Sequence, residues 1–101
     1  MFRGAIRGAI RRGIRRSIRR RARRIIRGAF VVLMLKGTTR TVKIRAEDAR
    51  KIEATYHKPP EEMTEAELNE AMQKLNVKQQ ELNAEDQGQV DAADEQDEKA
   101  G

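Results

Sequence analysis

Residues 30–45 read FVVLMLKGTTRTVKIR, and this stretch decides the fold. Its first six residues are apolar and rich in β-branched side chains, which is typical of a buried strand. KGTT at 36–39 has the composition of a turn, and beyond it Val42 and Ile44 alternate with polar side chains. The pattern predicts a β-hairpin. Its predicted strands are residues 30–35 and 40–45.

Downstream of the hairpin, two helices are predicted. Residues 46–57 place apolar side chains at helical spacing, and the following Pro-Pro pair ends that helix. Thr64 and Glu67 are spaced as a capping box ahead of Leu68, which predicts a second helix over residues 64–76. From residue 78 the chain is acidic and nearly free of apolar side chains, so we expect it to be disordered.

The two downstream helices resemble the SHOCT module, a short C-terminal helical hairpin whose second helix opens with a Thr-Glu-Glu-Glu-Phe-like phrase. The matching residues are Met63, Thr64, Glu65, Glu67, Leu68 and Leu75, within about 30 residues of the chain. A Pro-Pro pair replaces the usual glycine-containing link, and Leu68 replaces the aromatic residue. The resemblance implies an element for oligomerisation or docking, with no catalysis attached.

Upstream of the hairpin, residues 2–30 read FRGAIRGAIRRGIRRSIRRRARRIIRGAF, with an apolar residue at every fourth position. This spacing indicates helix, but it exceeds 3.6, so the apolar stripe turns about 40° per step. Dividing the segment at Gly13 gives each half one apolar face. We therefore predict helices over residues 2–12 and 14–30. The alternative to the hairpin is that the second helix continues through Leu35.

The predicted fold class is α+β and mostly helical. It combines a long arginine-rich amphipathic N-terminal helix, a small ββαα module and a disordered acidic tail. The predicted boundaries are residues 1–29 for the arm, 30–77 for the module and 78–101 for the tail.

The net charge of +6 conceals a strong asymmetry along the chain. Residues 1–30 contain twelve arginines and no acidic residue, whereas residues 79–101 carry a net charge of −7. Such asymmetry is typical of interaction arms. Only 38% of the 101 residues are hydrophobic, and cysteine is absent, so the core is thin and has no disulfide. We therefore expect a homo-oligomer or a member of a larger assembly.

The residues that could support catalysis are few. The chain has one histidine (His57), one serine (Ser17) and one tyrosine (Tyr56), and the serine lies among arginines with no base near it in sequence. Neither a calcium-loop spacing nor a P-loop is present. We expect a protein that is not an enzyme and has no cofactor, metal site or small-molecule substrate.

The arginine segment carries the main functional signal, because no lysine occurs before residue 36. Guanidinium is always charged and binds phosphate with two parallel hydrogen bonds. A helix that was merely solvated would mix both charge signs. The predicted phosphate ligands are Arg11, Arg12, Arg15, Arg16, Arg19, Arg20, Arg21, Arg23, Arg24 and Arg27.

Two phosphate-bearing surfaces compete as partners. Arginine density favours nucleic acid, bound without sequence preference. Such binding would suit a packaging or scaffold protein, including one of a virus particle. Regular isoleucines favour an anionic membrane surface, and an assembly arm of a structural complex is a third interpretation. The predicted apolar docking face consists of Ile14, Ile18, Ile25, Ile26 and Phe30.

Two further expectations concern location and the tail. The longest uncharged stretch, residues 28–35, is far shorter than the roughly 20 residues that span a bilayer, and no signal peptide is recognisable. We therefore expect an intracellular or virion-associated protein. The acidic residues of 79–101 either compete with polyanions for the arginines or serve solubility alone.

Overall fold

A computed structural model of the chain describes residues 18–100. Three antiparallel strands come first: β1 (Arg23–Arg27), β2 (Phe30–Met34) and β3 (Thr41–Arg45), with β2 in the middle. Three helices follow: α1 (Ala46–Tyr56), α2 (Glu65–Lys74) and α3 (Ala84–Ala100), with a 3₁₀ turn at Pro60–Glu62 between the first two.

The predicted ββαα module is confirmed. β2 and β3 pair from Phe30–Arg45 to Met34–Thr41 around the predicted turn. At the start of α2, the Thr64 hydroxyl accepts from the Glu67 amide, and the Glu67 carboxylate accepts from the Thr64 amide, which completes the capping box. These elements form where expected because their signals are local in sequence.

The predicted N-terminal helix is wrong over the part of the chain that the structure describes. Residues 23–27 form β1, which pairs with β2 from Arg27–Phe30 to Arg23–Met34. A two-residue turn joins the strands, and its first residue, Gly28, has φ of +65°, a conformation that glycine adopts without strain. The predicted helix over residues 2–12 lies outside the described residues.

The predicted disorder of the acidic tail is also wrong. Residues 84–100 form α3, which packs on the sheet. Asn83 caps it: the Asp86 amide donates to Asn83 Oδ1 at 2.8 Å, and the Asn83 amide donates to Asp86 Oδ2 at 3.0 Å. Val90 and Ala93 are buried one helical turn apart, so one face of the helix contacts the protein.

The sheet is covered on both faces. On one side, α1, the 3₁₀ turn and α2 enclose the larger core, which includes Leu33, Ile44, Ile52 and Leu68. On the other side, Val90 of α3 packs with two β2 side chains that are fully buried. Those side chains are Val32 and Met34. The second face of the sheet is thus covered by the chain's own C-terminal helix.

Candidate polyanion-binding surface

The ten predicted phosphate ligands fall into three groups. Arg11, Arg12, Arg15 and Arg16 lie outside the described residues. Arg20 and Arg21 are exposed just before β1. The other four are held by carboxylates of the same chain. They are Arg19, Arg23, Arg24 and Arg27.

Alternation along β1 divides its side chains between the two faces of the sheet, because successive strand residues point in opposite directions. Arg23, Ile25 and Arg27 face α3. Arg24 faces the opposite side, where it reaches the α1 and 3₁₀ region. β1 therefore places arginine side chains on both faces of the sheet, which the predicted helix did not anticipate.

Arg19 is the most enclosed arginine within residues 18–100, with a side chain 3% exposed. Its Nε donates to Asp94 Oδ1 at 2.9 Å and one terminal nitrogen donates to Asp94 Oδ2 at 3.2 Å, a bidentate pair. The guanidinium also donates to the Arg40 carbonyl and to the Thr41 hydroxyl. The guanidinium of Arg19 thus donates four hydrogen bonds, to the Asp94 carboxylate, a backbone carbonyl and a hydroxyl group.

Arg23 and Arg27 bind the two ends of α3. Arg23 forms a salt bridge with Asp97, with Nε 3.3 Å from Oδ2. This hydrogen bond lowers the pKa of Asp97. Arg27 donates to Asp86 at 2.8 Å and to the exposed Glu85 at 3.1 Å. These two arginines therefore hold both ends of α3 against the edge strand of the sheet.

A buried cluster that sequence reasoning missed lies under α3. Asp86 is 1% exposed and accepts hydrogen bonds from Lys43 Nζ at 2.6 Å, Arg27 Nε and the Asn83 amide. These donors stabilise the carboxylate and hold its pKa well below the usual range, with the Lys43 bond contributing most. Lys43 also lies 5.0 Å from the centre of the Phe30 ring. The pair Asn83 and Asp86, spaced like a capping box, was the signal in the sequence.

On the opposite face, Arg24 joins β1 to the helical layer. Its Nε and a terminal nitrogen contact one oxygen of Glu61 at 3.1 and 2.8 Å, and the terminal nitrogen also lies 3.3 Å from Glu53. Burial alone would lower the pKa of Arg24, but the hydrogen bond and charge of Glu61 outweigh it and raise the pKa. Arg24 thus serves the packing of the fold.

The predicted apolar docking face is not assembled as one surface. Ile18 and Ile26 are 65% and 67% exposed, whereas Ile25 packs under α3 on the other side of the strand. Phe30 is half-buried beside Lys43, and Ile14 lies outside the described residues.

Pairing within the fold changes where the free charge lies. Residues 18–101 contain sixteen basic and sixteen acidic side chains, so this part of the chain is electrically neutral. Residues 1–17 contain six arginines and no acidic side chain, so they carry the whole net charge of +6. The positive end of the protein is therefore residues 1–17, continued by the exposed Arg20 and Arg21.

Chemical groups for catalysis are sparse in the described part of the chain. His57 is exposed and ends α1 with φ of 57°, and Tyr56 packs against the larger core. No three histidine or carboxylate side chains within residues 18–100 are grouped to hold a metal ion. Among the helices of that same range, none has the length and apolar composition needed to cross a bilayer.

Comparisons with protein-family models, with curated proteins and with solved structures find no match to this chain. The resemblance to the SHOCT module therefore stays a prediction.

Proposed function

We propose that this protein binds nucleic acid without sequence preference and without catalysis, through the arginines of residues 1–21. The observation that carries the proposal is the charge partition: residues 18–101 are neutral, and the whole excess of +6 lies in residues 1–17. The proposed phosphate ligands are Arg11, Arg12, Arg15, Arg16, Arg20 and Arg21.

The chemistry of arginine supports phosphate as the target. Its planar fork binds phosphate oxygens in pairs and loses little hydration on contact. Contacts to phosphate position a protein on nucleic acid without reading its sequence, because every nucleotide presents the same phosphate. The residues upstream of Ile18 include no Asn or Gln, the side chains that read adenine edges.

Residues 18–100 then act as the carrier of the basic segment. Such a carrier suits a packaging or scaffold component, either inside a cell or in a virus particle. Several copies joined by their folded parts would present several arms to one polyanion and so increase its retention.

A second candidate target is an anionic membrane surface, favoured by the exposure of Ile18 and Ile26 beside the arginines. Apolar side chains of this kind enter the headgroup boundary while arginines contact lipid phosphates. Ile18 precedes β1 and Ile26 lies within this edge strand, so both would have to reach the membrane from the edge of the sheet.

Binding measured across a salt series tests the proposal. The full chain is titrated with two unrelated duplexes of equal length, with RNA and with anionic vesicles. The variant carries Arg11→Gln, Arg12→Gln, Arg15→Gln and Arg16→Gln. The control removes the same charge from exposed residues of the folded part. Its substitutions are Lys36→Gln, Arg50→Gln, Lys74→Gln and Lys78→Gln.

We expect near-equal affinity for the two duplexes. Loss of four phosphate contacts should reduce the slope of log K against log salt by about 3.6 in the arm variant, with a much smaller change in the control. Tenfold preference for one duplex, or equal losses in both variants, contradicts the proposal. Tight binding to vesicles together with weak binding to duplex and RNA selects the membrane.

A further inference from the structure

We propose that the C-terminal part of α3 is an autoinhibitory clasp, which covers a second phosphate subsite formed by Arg19, Arg20, Arg21 and Arg23. The clasp opens when phosphates of a bound polyanion replace the carboxylates of Asp97 and Asp94. This inference rests on the proposed function, because the polyanion first binds the arginines that precede this subsite.

The subsite is a cleft of about 200 Å³ between the residues that precede β1 and the end of α3. Arg19, Arg20 and Arg21 line one side, and Asp94, Asp97 and Glu98 line the other. Arg23 extends the basic side through its bond to Asp97. An anion that enters this cleft meets several guanidinium groups at once, provided that the carboxylates yield.

The two halves of α3 are held by different forces. The N-terminal half is anchored by Asp86, with its three donors, and by Val90, both of them almost fully buried. Beyond Ala93, no side chain of α3 belongs to the hydrophobic core among the described residues. Asp94 and Asp97 hold that end through Arg19 and Arg23. The C-terminal turns can therefore lift while the N-terminal turns stay in place.

Exchange of carboxylate for phosphate preserves the chemistry of the arginines. Both anions accept the same two parallel hydrogen bonds from guanidinium, so a phosphate can take the place of Asp97 on Arg23 without leaving the charge unpaired. Arg20 and Arg21 connect the cleft directly to the basic residues upstream. A polyanion bound there presents its next phosphates to the cleft at high effective concentration.

The clasp makes the protein select for length and charge density of its ligand. A single small anion must compete against carboxylates that are tethered to the site. A long polyphosphate brings many charges and releases many counterions, so it can displace them. The internal acidic helix thus raises the threshold for binding and keeps the cleft closed to sparse anions.

The test compares Asp97→Asn with Glu62→Gln in the full chain. Both variants raise the net charge by one, but Glu62 is exposed in the 3₁₀ turn, on the face of the sheet opposite α3. Asp97 pairs with the partly exposed Arg23, whereas Asp94 pairs with the buried Arg19, so Asp97→Asn removes one of the two salt bridges of the clasp. Circular dichroism confirms that each variant is folded before duplex DNA is titrated at two or more salt concentrations.

Opening of the clasp predicts that Asp97→Asn binds the duplex several-fold more tightly at low salt, because the variant has no Arg23–Asp97 salt bridge to break. The gain should shrink as salt rises, since salt also weakens that bridge in the wild type. Glu62→Gln should change affinity less than twofold. In the wild type, amides of residues 93–99 should exchange faster when duplex is bound, because a few helical turns without docking are marginal. Equal affinities in the two variants, or protection of those amides by duplex, overturns the clasp.

The arm variant described above separates the two proposals. If its affinity for duplex equals that of the wild type, the proposed role of the arm fails. The clasp is then judged by Asp97→Asn against Glu62→Gln alone: a gain specific to Asp97→Asn keeps it, and equal binding or no binding by both variants rejects it. If the arm variant loses affinity but the two carboxylate variants match, only the clasp fails.

Discussion

Lys43 and Asp86 meet between the sheet and α3, with Nζ 2.6 Å from Oδ2 and side chains 10% and 1% exposed. The contact joins β3 to the first turn of a helix more than 40 residues later in the chain. Because Arg27 donates to the other oxygen of the same carboxylate, Asp86 links β1, β3 and α3. Asp86 therefore attaches the first turn of α3 to two strands of the sheet.

Asp86→Asn should destabilise the protein by about 3 kcal/mol, because it leaves the buried Lys43 without its counter-charge. The measurement is the free energy of unfolding in urea at pH 7. Glu85→Gln is the control. Glu85 is 82% exposed and pairs with Arg27, which also binds Asp86. Loss of the Glu85 carboxylate should therefore cost no more than about 0.5 kcal/mol. Similar small losses in both variants would mean that Asp86 is solvated and α3 undocked.

Stability should fall in acid because of the same carboxylate. The pKa of Asp86 is lower in the folded protein than in the unfolded chain, where aspartate titrates near pH 3.9. A group with a depressed folded pKa contributes its full stability above the unfolded pKa and loses it as the pH falls further. Unfolding free energies should therefore be flat from pH 7 to about 5 and decline below about 4.

Comparison with Asp86→Asn assigns this pH dependence. The variant has no carboxylate at position 86, so its unfolding free energy should decline less between pH 5 and 3 than that of the wild type. Some decline will remain, because the pKa values of Asp97 and Glu67 are also lowered by their hydrogen bonds. Parallel curves for the two proteins would show that Asp86 does not titrate differently on folding.

The sequence predicts β2, β3, α1 and α2 because each has a local signal. The apolar run, the KGTT turn, the Pro-Pro stop and the capping box act within a few residues of the elements that they define. Tertiary contacts agree with these preferences, so both strands and both helices form where the patterns indicate.

β1 and α3 could not be predicted in the same way because contacts with other elements override what their own sequence patterns indicate. The regular spacing of isoleucine in the arm imitates a helix, yet Ile25 and Ile26 lie on opposite sides of a strand whose pairing with β2 decides its conformation. α3 contributes few apolar contacts, and its salt bridge from Asp94 reaches an arginine 75 residues earlier. The composition of residues 78–101 indicated disorder, because composition alone does not show which acidic and basic side chains pair in the fold.

The sequence does not show which of the candidate arginines are already paired within the fold. Arg19, Arg23, Arg24 and Arg27 are occupied by carboxylates that the linear charge profile placed in separate regions. Basic and acidic residues that are far apart in the sequence thus pair with each other in the fold. The arginines of residues 1–17 differ from these four paired arginines in position, and not in local sequence pattern.

Gly28→Ala tests the strand assignment by its sign. In the hairpin, Gly28 has φ of +65°, which costs a residue with a Cβ atom about 1 kcal/mol or more. In a helix the same substitution would stabilise by about 1 kcal/mol, because alanine is the better helix former. We expect destabilisation, measured by urea unfolding. A gain in stability would contradict the strand and support the predicted helix for residues 23–27.

Gly88→Ala tests α3 with the opposite sign. Gly88 lies inside the helix, its φ is not positive, and a Cβ atom built there meets nothing within 4 Å. Alanine should therefore stabilise the folded protein by about 0.5–1 kcal/mol, through helix propensity and a less flexible unfolded chain. A disordered tail would give no change, since both states would then be equally unfolded at residue 88. The two glycine variants, measured side by side in urea, should move the unfolding midpoint in opposite directions.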